Sequence, residues 1–359
     1  MVEINKIAIL GAGCWRTHAA TGITTFKRAC EVADQTGIKE AALTHSSVTY
    51  AAELKNICDV DEVVVSDPVF DSDGFTVVDI EEDCGVSLDE FIEAHLEGDP
   101  EDVMPKIREY VKEIAEEVPK PPEGAIHFLT PEEMEDKLNI VTTTDDSEAV
   151  EDADMIISWL PKGGVQPKIF EKIIDDIPEG CIVANTCTIP ARQFYEMFVK
   201  DFGRDDLQVT SYHPATVPEH KGQVFIAEGY ADEEVVEAVY ELGKEARGVA
   251  FKVPGYLLGP VCDMASAVTA IVYAGLLTFR DACTEILGAP VDFVQNMAVE
   301  SLKMMAKFME EEGLDKLEGA LDPAALTNTA DSMNFGPLAD TGLLPKALEV
   351  LEEYSKKGE

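Results

Sequence analysis

Basic residues are scarce in this chain. Lysine and arginine together number 28 against 70 aspartates and glutamates, a formal charge of −42. A surface of that sign repels nucleic acid and anionic membrane, so neither is expected as a partner. Its plain reading is solubility in a salt-rich cytosol, ahead of any steering of a cationic substrate. Long hydrophobic runs are also missing. The longest uncharged apolar stretch, Met264 to Phe279, is bracketed by Asp263 and Arg280, and it falls about a turn short of a membrane span. It reads as a buried helix. The opening Met1-Val2-Glu3-Ile4-Asn5 lacks the basic region of a secretory signal. The eight cysteines include no C-x-x-C pair, which argues against a secreted disulfide framework and for reduced thiols in a cytoplasm.

What is present can build a core. Hydrophobic residues make up 46% of 359 positions, enough for two domains or one large one. The first ~250 residues alternate short β-rich runs with helical stretches, the pattern of a parallel doubly wound sheet. Strands are predicted at Ile4–Leu10, Ala41–Thr44, Glu62–Ser66, Ala125–Leu129, Asn139–Thr142, Met155–Trp159, Cys181–Asn185, Leu207–Ser211 and Gln223–Ala227. The first helix shows an apolar face at Ile23, Phe26, Cys30 and Ala33. The acid-rich stretch Val86–Pro122 reads as a helical insertion lying over the sheet.

The pattern changes at Pro254-Gly255-Tyr256-Leu257-Leu258-Gly259-Pro260. Beyond it, helices are predicted at Val261–Leu287, Val291–Glu312 and Leu344–Lys356, with almost no strand signal. So apolar a first helix cannot be hidden by so short a segment alone, which implies burial against a second copy. The expected fold is α/β: a Rossmann-like doubly wound parallel sheet over residues 1–253, followed by an all-helical dimerisation domain over 254–359.

Ligands of an open α/β sheet bind beyond the carboxyl ends of its strands. Reactive residues gather after the predicted strands: Cys14, Arg16 and His18 after the first, Pro161 and Lys162 after "MIISWL", Cys187 after "CIVANT", and His213 after "VTSY". Gly11-Ala12-Gly13 permits a tight turn and close approach to a phosphate. Arg16 stands where the third glycine of a dinucleotide fingerprint belongs. The ribose-binding acid is missing from Leu43-Thr44-His45-Ser46-Ser47, the expected end of the second strand. A nucleotide phosphate is therefore expected, and ordinary NAD binding is not.

Cys187 precedes Thr188 and Pro190, which read as the cap and first turn of a helix. A thiol there would be activated by helix N–H groups, as nucleophile or metal ligand; the competing reading is a small buried apolar residue. Cys14 and His18 share a face and could form half a zinc site, although no second pair matches; His18 could equally be a backbone-bonded residue at a helix start. His213, before Pro214, could be structural. His45, His95, His127 and His220 carry no functional assignment, and Cys30, Cys58, Cys84, Cys181 and Cys283 read as core or bystander thiols.

The segments "KIAILGAGCWRTHAATGIT", "LTHSSVTYAAEL", "WLPKGG", "CTIPARQF", "TSYHPATVPEHKGQVFIAEGYA", "GPVCDMASAVTAIVYAGLL" and "LDPAALTNTADSMNFGPLA" together resemble the hydrogen-forming methylenetetrahydromethanopterin dehydrogenases of methanogens, the mononuclear iron hydrogenases, nearly end to end. The resemblance implies a homodimer with intertwined C-terminal helices. It implies an iron-guanylylpyridinol cofactor: one iron with two carbonyls, a pyridinol nitrogen, an acyl carbon and a single protein thiolate, and no NAD, nickel or iron–sulfur cluster. On this resemblance Cys187 is the iron ligand, His18 the proton-accepting histidine and His213 a second active-site histidine. Gly11, Gly13, Cys14, Arg16, Thr17, Pro161 and Lys162 would line the cofactor, and Cys262, Ser266 and Thr329 would stand near the substrate. The implied reaction of methanogenesis splits dihydrogen and reversibly passes hydride to methenyltetrahydromethanopterin, giving methylenetetrahydromethanopterin. Asn185-Thr186 ahead of the thiol departs from the family pattern, where His-Ala is expected. Two rival readings are a cofactor-binding paralogue without hydrogenase activity, acting as sensor or scaffold, and an NAD(P)-dependent dehydrogenase with a helical dimer domain.

Overall fold

The structure is a computed structural model that describes residues 2–12, 23–58, 60–71, 75–77, 79–97, 102–117, 125–127, 129–161, 164–187, 189–215, 223–258, 272, 275–277, 279–286 and 288–312. The chain separates into two compact units, Met1–Asp263 and Met264–Glu359.

In the first unit, short β-branched runs form the central strands: β1 (Lys6–Leu10), β2 (Glu62–Ser66), β5 (Val141–Thr143), β6 (Met155–Ser158), β7 (Ile182–Asn185) and β8 (Gln208–Ser211). They are parallel throughout, in the order β5-β2-β1-β6-β7-β8. Counted among themselves, these strands lie in the order of a dinucleotide-binding sheet, which reverses between β1 and β6. Both faces are covered, so β1, β2, β6 and β7 carry three or more consecutive apolar residues in place of an alternating pattern. Ile7 and Ile9 enter one core with Val63, Val65, Met155 and Ile157. Ala8 and Leu10 enter the other with Val64, Ile156, Val183 and Val209. Leu10 aligns with Ser158, Ser158 with Asn185 and Asn185 with Ser211, so four strands end level. The residues that follow them stand in one row.

The predicted strand Ala41–Thr44 is instead a 3-10 turn, Lys39–Leu43. Its alanines, 0% and 1% exposed, pack against the Ile23–Thr36 helix. A four-residue apolar run with two alanines has no strand preference strong enough to resist that packing. Asn139 is not in a strand but ends the Pro131–Leu138 helix in the left-handed conformation, φ 55°. The predicted strand at Ala125 is the short β4 (Ala125–His127), paired outside the main sheet with β3 (Phe75–Val77). Gln223 begins β10 (Gln223–Glu228), which lies between β9 (His213–Ala215) and β11 (Ala250–Pro254) in a separate sheet. His213 is therefore a strand residue, opposite Phe225, rather than a loop residue.

The insertion supplies the helices Leu88–Leu96 and Met104–Glu117. The first, held by a Ser87–Glu90 capping box, packs mainly on the Ile23–Thr36 helix rather than on the sheet itself. In that first helix Cys30 and Ala33 are buried as predicted; the side chains of Ile23 and Phe26 lie outside the described set.

In the second unit the Val291–Glu312 helix has the predicted bounds. Of the preceding predicted helix, residues 272, 275–277 and 279–281 are helical and lead into a π-helical turn, Ala282–Ile286. The predicted helix Leu344–Lys356 lies outside the described residues. Phe293, Met297 and Met304 are exposed on the Val291–Glu312 helix at 60%, 49% and 69%.

Candidate active site

The end of β1 is held from several sides. Gly11 takes φ +98°, and a Cβ on it would stand 3.2 Å from the Trp159 carbonyl oxygen and 3.3 Å from the Leu160 side chain. Only glycine lets β1 and the residues after β6 approach this closely. The Gly11 N–H donates to the Ser66 carbonyl at 2.7 Å. The Ala12 N–H donates to Asp67 Oδ2 at 2.7 Å, and the Ala12 carbonyl accepts Ser47 Oγ at 2.7 Å. Both backbone donors of the visible turn are thus spent inside the protein. Gly13, Cys14, Arg16, Thr17 and His18, which follow in the sequence, lie outside the described residues.

Asp67 corrects the sequence reading. Because the second strand of the sheet is Glu62–Ser66, an acid does stand at its end. Its Oδ1 accepts the Val69 N–H at 2.9 Å, beside the Ala12 bond of Oδ2. Burial raises its pKa above the ordinary carboxylate value, the two N–H bonds oppose that, and nearby Asp146 adds to it.

At the end of β7 the chain turns through Asn185, Thr186 and Cys187. Thr186 is stitched to β6: its N–H and hydroxyl both reach the Ser158 carbonyl, at 3.2 and 2.7 Å. The Thr186 carbonyl accepts the Nδ1–H of His213, which fixes that imidazole's tautomer. Asn185, 0% exposed, holds the loop through Nδ2, which donates to the Cys187 and Ile189 carbonyls at 3.2 and 3.0 Å. Its Oδ1 accepts the Cys187 N–H and the Cys187 thiol, each at 3.0 Å. On the other side Gln166 Nε2 lies 3.4 Å from Cys187 Sγ and 3.0 Å from the Leu160 carbonyl. The helix expected beside the thiol starts later than predicted. Pro190 is its N-cap and Ala191 its first residue, so the groups at the sulfur are two carboxamides rather than helix N–H groups.

The structure therefore brings together Gly11, Cys187 and His213, linked through Trp159, Leu160, Gln166 and Thr186. Pro161 follows Leu160 and is exposed. Lys162, Cys262, Ser266 and Thr329 lie outside the described residues. Asn185, Gln166 and Asp67 were missed as contributors. The first two are buried polar residues, which composition does not reveal; the third was hidden by the misplaced second strand. Burial pushes the thiols of Cys58 and Cys181 up to about 12 and that of Cys84 up to about 11. Among the described residues, no group of three or more His, Cys, Asp or Glu could hold a metal ion, and no helix is long and apolar enough to cross a membrane.

Residues 5–251 match the family model of the HMD N-terminal domain, and residues 255–353 that of the H2-forming N5,N10-methylene-tetrahydromethanopterin dehydrogenase. The chain is 88% identical to the 5,10-methenyltetrahydromethanopterin hydrogenase of Methanopyrus kandleri over 359 residues, all of both chains. It is 59% identical to that of Methanocaldococcus jannaschii, covering 97% of this chain and 95% of the relative. A crystal structure of the Fe-hydrogenase (Hmd) holoenzyme from Methanococcus aeolicus, in its open form, matches with a TM-score of 0.67 at 54% identity, covering 97% and 99% of the two chains. This chain belongs to the family of H2-forming methylenetetrahydromethanopterin dehydrogenases, the iron hydrogenases.

Proposed function

We propose that this chain cleaves dihydrogen heterolytically and exchanges hydride with methenyltetrahydromethanopterin, using an iron-guanylylpyridinol anchored by Cys187. The observation that carries this reading is the Cys187 sulfur, at the carboxyl edge of a dinucleotide-type sheet and one strand from its reversal point. The donor set fits the group. The sulfur has a donor and an acceptor side chain beside it. It can therefore supply the single thiolate required of the protein by an iron whose other ligands arrive with the cofactor.

When bound, the group supplies a Lewis-acidic iron that makes dihydrogen acidic enough to lose a proton. Cys187 tethers it, and the Asn185 carboxamide fixes the loop that carries the sulfur. Gly11 lets the chain after β6 close on the end of β1, beside which the nucleotide end would lie; Gly13, Cys14, Arg16, Thr17, Pro161 and Lys162 complete that lining. His18 is the proton acceptor. His213 is oriented by the Thr186 carbonyl, which takes its Nδ1–H, and serves as the second active-site histidine. Cys262, Ser266 and Thr329 position the substrate. A domain boundary at 253/254 is supported by the two family models, which meet between residues 251 and 255, ten residues ahead of the division into compact units; the exposed apolar side chains of the Val291–Glu312 helix support a homodimer formed through the C-terminal helices. The protein works in the cytoplasm, without NAD, nickel or an iron–sulfur cluster.

The test is anaerobic reconstitution with iron-guanylylpyridinol. Two carbonyl bands in the infrared and hydrogen-dependent reduction of the methenyl substrate are expected. Cys187→Ala should lose the bands, and His18→Ala should keep them and lose most turnover. Bands without turnover in the native chain would favour the cofactor-binding paralogue. Binding of nicotinamide nucleotide instead of iron-guanylylpyridinol would overturn the proposal.

A further inference from the structure

Gln166 is an unusual residue to find in a core. It is the second residue of the Val165–Ile173 helix and is 1% exposed. The same helix buries Phe170 and Ile173. Phe170 meets Phe194 and Phe198 edge-on at 5.7 and 5.0 Å, which ties this helix to the one after the Cys187 loop. Gln166 is thus held where it stands, and its Nε2 group divides between the Leu160 carbonyl at 3.0 Å and Cys187 Sγ at 3.4 Å.

Opposite it, the Asn185 amide cannot reverse. Its oxygen accepts the Cys187 N–H while its nitrogen serves two carbonyls. Turning it over would set donor against donor at one contact and oxygen against oxygen at two. Oδ1 therefore stays turned to the Cys187 side of the amide while these bonds hold, and lies 3.0 Å from the sulfur. A protonated sulfur can donate to that oxygen. A metal-bound thiolate has no proton to give, and the carboxamide oxygen then repels it. Gln166 is the neighbouring described side chain that still offers the sulfur an N–H.

We infer that Gln166 is a positioning residue for the metal-bound thiolate: its N–H···S hydrogen bond, set against the fixed oxygen of Asn185, orients Cys187 and lowers its electron donation to iron. This rests on the reading of Cys187 as the iron ligand. Hydrogen bonds to ligating sulfurs and outer-shell partners tune metal sites in this way.

The experiment compares native protein with Gln166→Leu and Gln166→Met, each reconstituted with iron-guanylylpyridinol. Both variants keep most of the volume and remove the donor. Losing the hydrogen bond leaves more charge on sulfur, which passes through iron to the carbonyls. Both infrared bands should move to lower wavenumber, and cofactor retention should weaken about 10- to 100-fold. Thermal unfolding of the unloaded proteins separates this from lost packing, since a merely structural Gln166 would change the melting temperature and leave the band positions alone. Unmoved bands in whichever variant folds, with retention within threefold of native, would overturn the inference. Failure of the native protein to take up the cofactor would instead overturn the reading of Cys187, and this inference with it.

Discussion

Replacing Glu53 by glutamine should cost the sheet domain about 3 kcal/mol, the lower end of what breaking a buried ion pair costs. Glu53 lies in the Ser46–Asn56 helix with its side chain 1% exposed. Its Oε1 is 3.0 Å from Arg247 Nε and 3.1 Å from Arg28 Nη2. Arg28 has other partners, Glu31 at 3.1 Å and the Ala246 carbonyl at 2.9 Å. Arg247, 1% exposed, has Glu53 as its carboxylate and the Tyr50 ring 4.0 Å beneath its guanidinium. Two guanidiniums face two carboxylates, so the cluster is neutral, and glutamine leaves one buried positive charge uncompensated. The amide still accepts one hydrogen bond and the tyrosine face still attracts the cation, which places the estimate at the low end. At about 2–4 °C per kcal/mol for a domain of this size, the melting temperature should fall by roughly 6–12 °C. Circular dichroism of the unloaded protein reads this, at low salt and in 1 M salt. A fall below about 2 °C, or one that disappears in 1 M salt, would show that the cluster is hydrated and screened and would refute the reasoning.

Three other outcomes follow from the geometry. Gly11→Ala should destabilise by about 1–3 kcal/mol, because a Cβ there meets both positive φ and the Trp159 carbonyl; chemical denaturation of the unloaded protein measures it. Asp67→Asn should weaken the turn by about 1–3 kcal/mol, since an NH2 would face the N–H of Ala12 or of Val69. Because the folded pKa of Asp67 is raised, native stability should also fall as pH rises from the ordinary carboxylate value through the raised one, a slope the variant lacks; unfolding midpoints against pH show both. Asp206 is held down to about 2 by its hydrogen bonds to Arg204, against an ordinary 3.8, so its contribution is present above that ordinary value and lost as pH falls through about 2. Acid unfolding of Asp206→Asn should lack that loss.

The sheet was readable because its central strands sit between two helical layers and must be apolar on both faces. Runs such as Ile7–Leu10, Val63–Val65 and Ile156–Ile157 have no other home. Where burial was one-sided or packing local, the reading slipped. Ala41 and Ala42 are as buried as strand residues, but beneath a helix rather than between strands. The Cys187 loop was found by its position after a strand, and the helix cap expected beside the thiol was placed too early. Nothing in "CIVANTC" tells that Asn185 points inward, or that a glutamine 21 residues earlier reaches the same sulfur.

The position of Asp67 changes which argument separates a mononucleotide from a dinucleotide ligand. A missing acid at the second strand's end would have argued against a ribose that needs one, and that acid is present. Its two oxygens already accept the Ala12 and Val69 N–H groups, yet a carboxylate has lone pairs for further donors, so it could take a ribose hydroxyl as well. The acid therefore does not discriminate. Nor does the start of the turn: the N–H groups of Gly11 and Ala12 are committed to Ser66 and Asp67 whichever ligand binds. The other end of the row then carries the distinction. A hydride carried on nicotinamide needs no thiol, whereas a buried glutamine and a locked asparagine are spent here on holding one sulfur at the sheet's edge. Two buried carboxamides are costly to desolvate unless bonded; backbone groups bond both of these, and the Gln166 nitrogen and Asn185 oxygen so engaged also reach the sulfur.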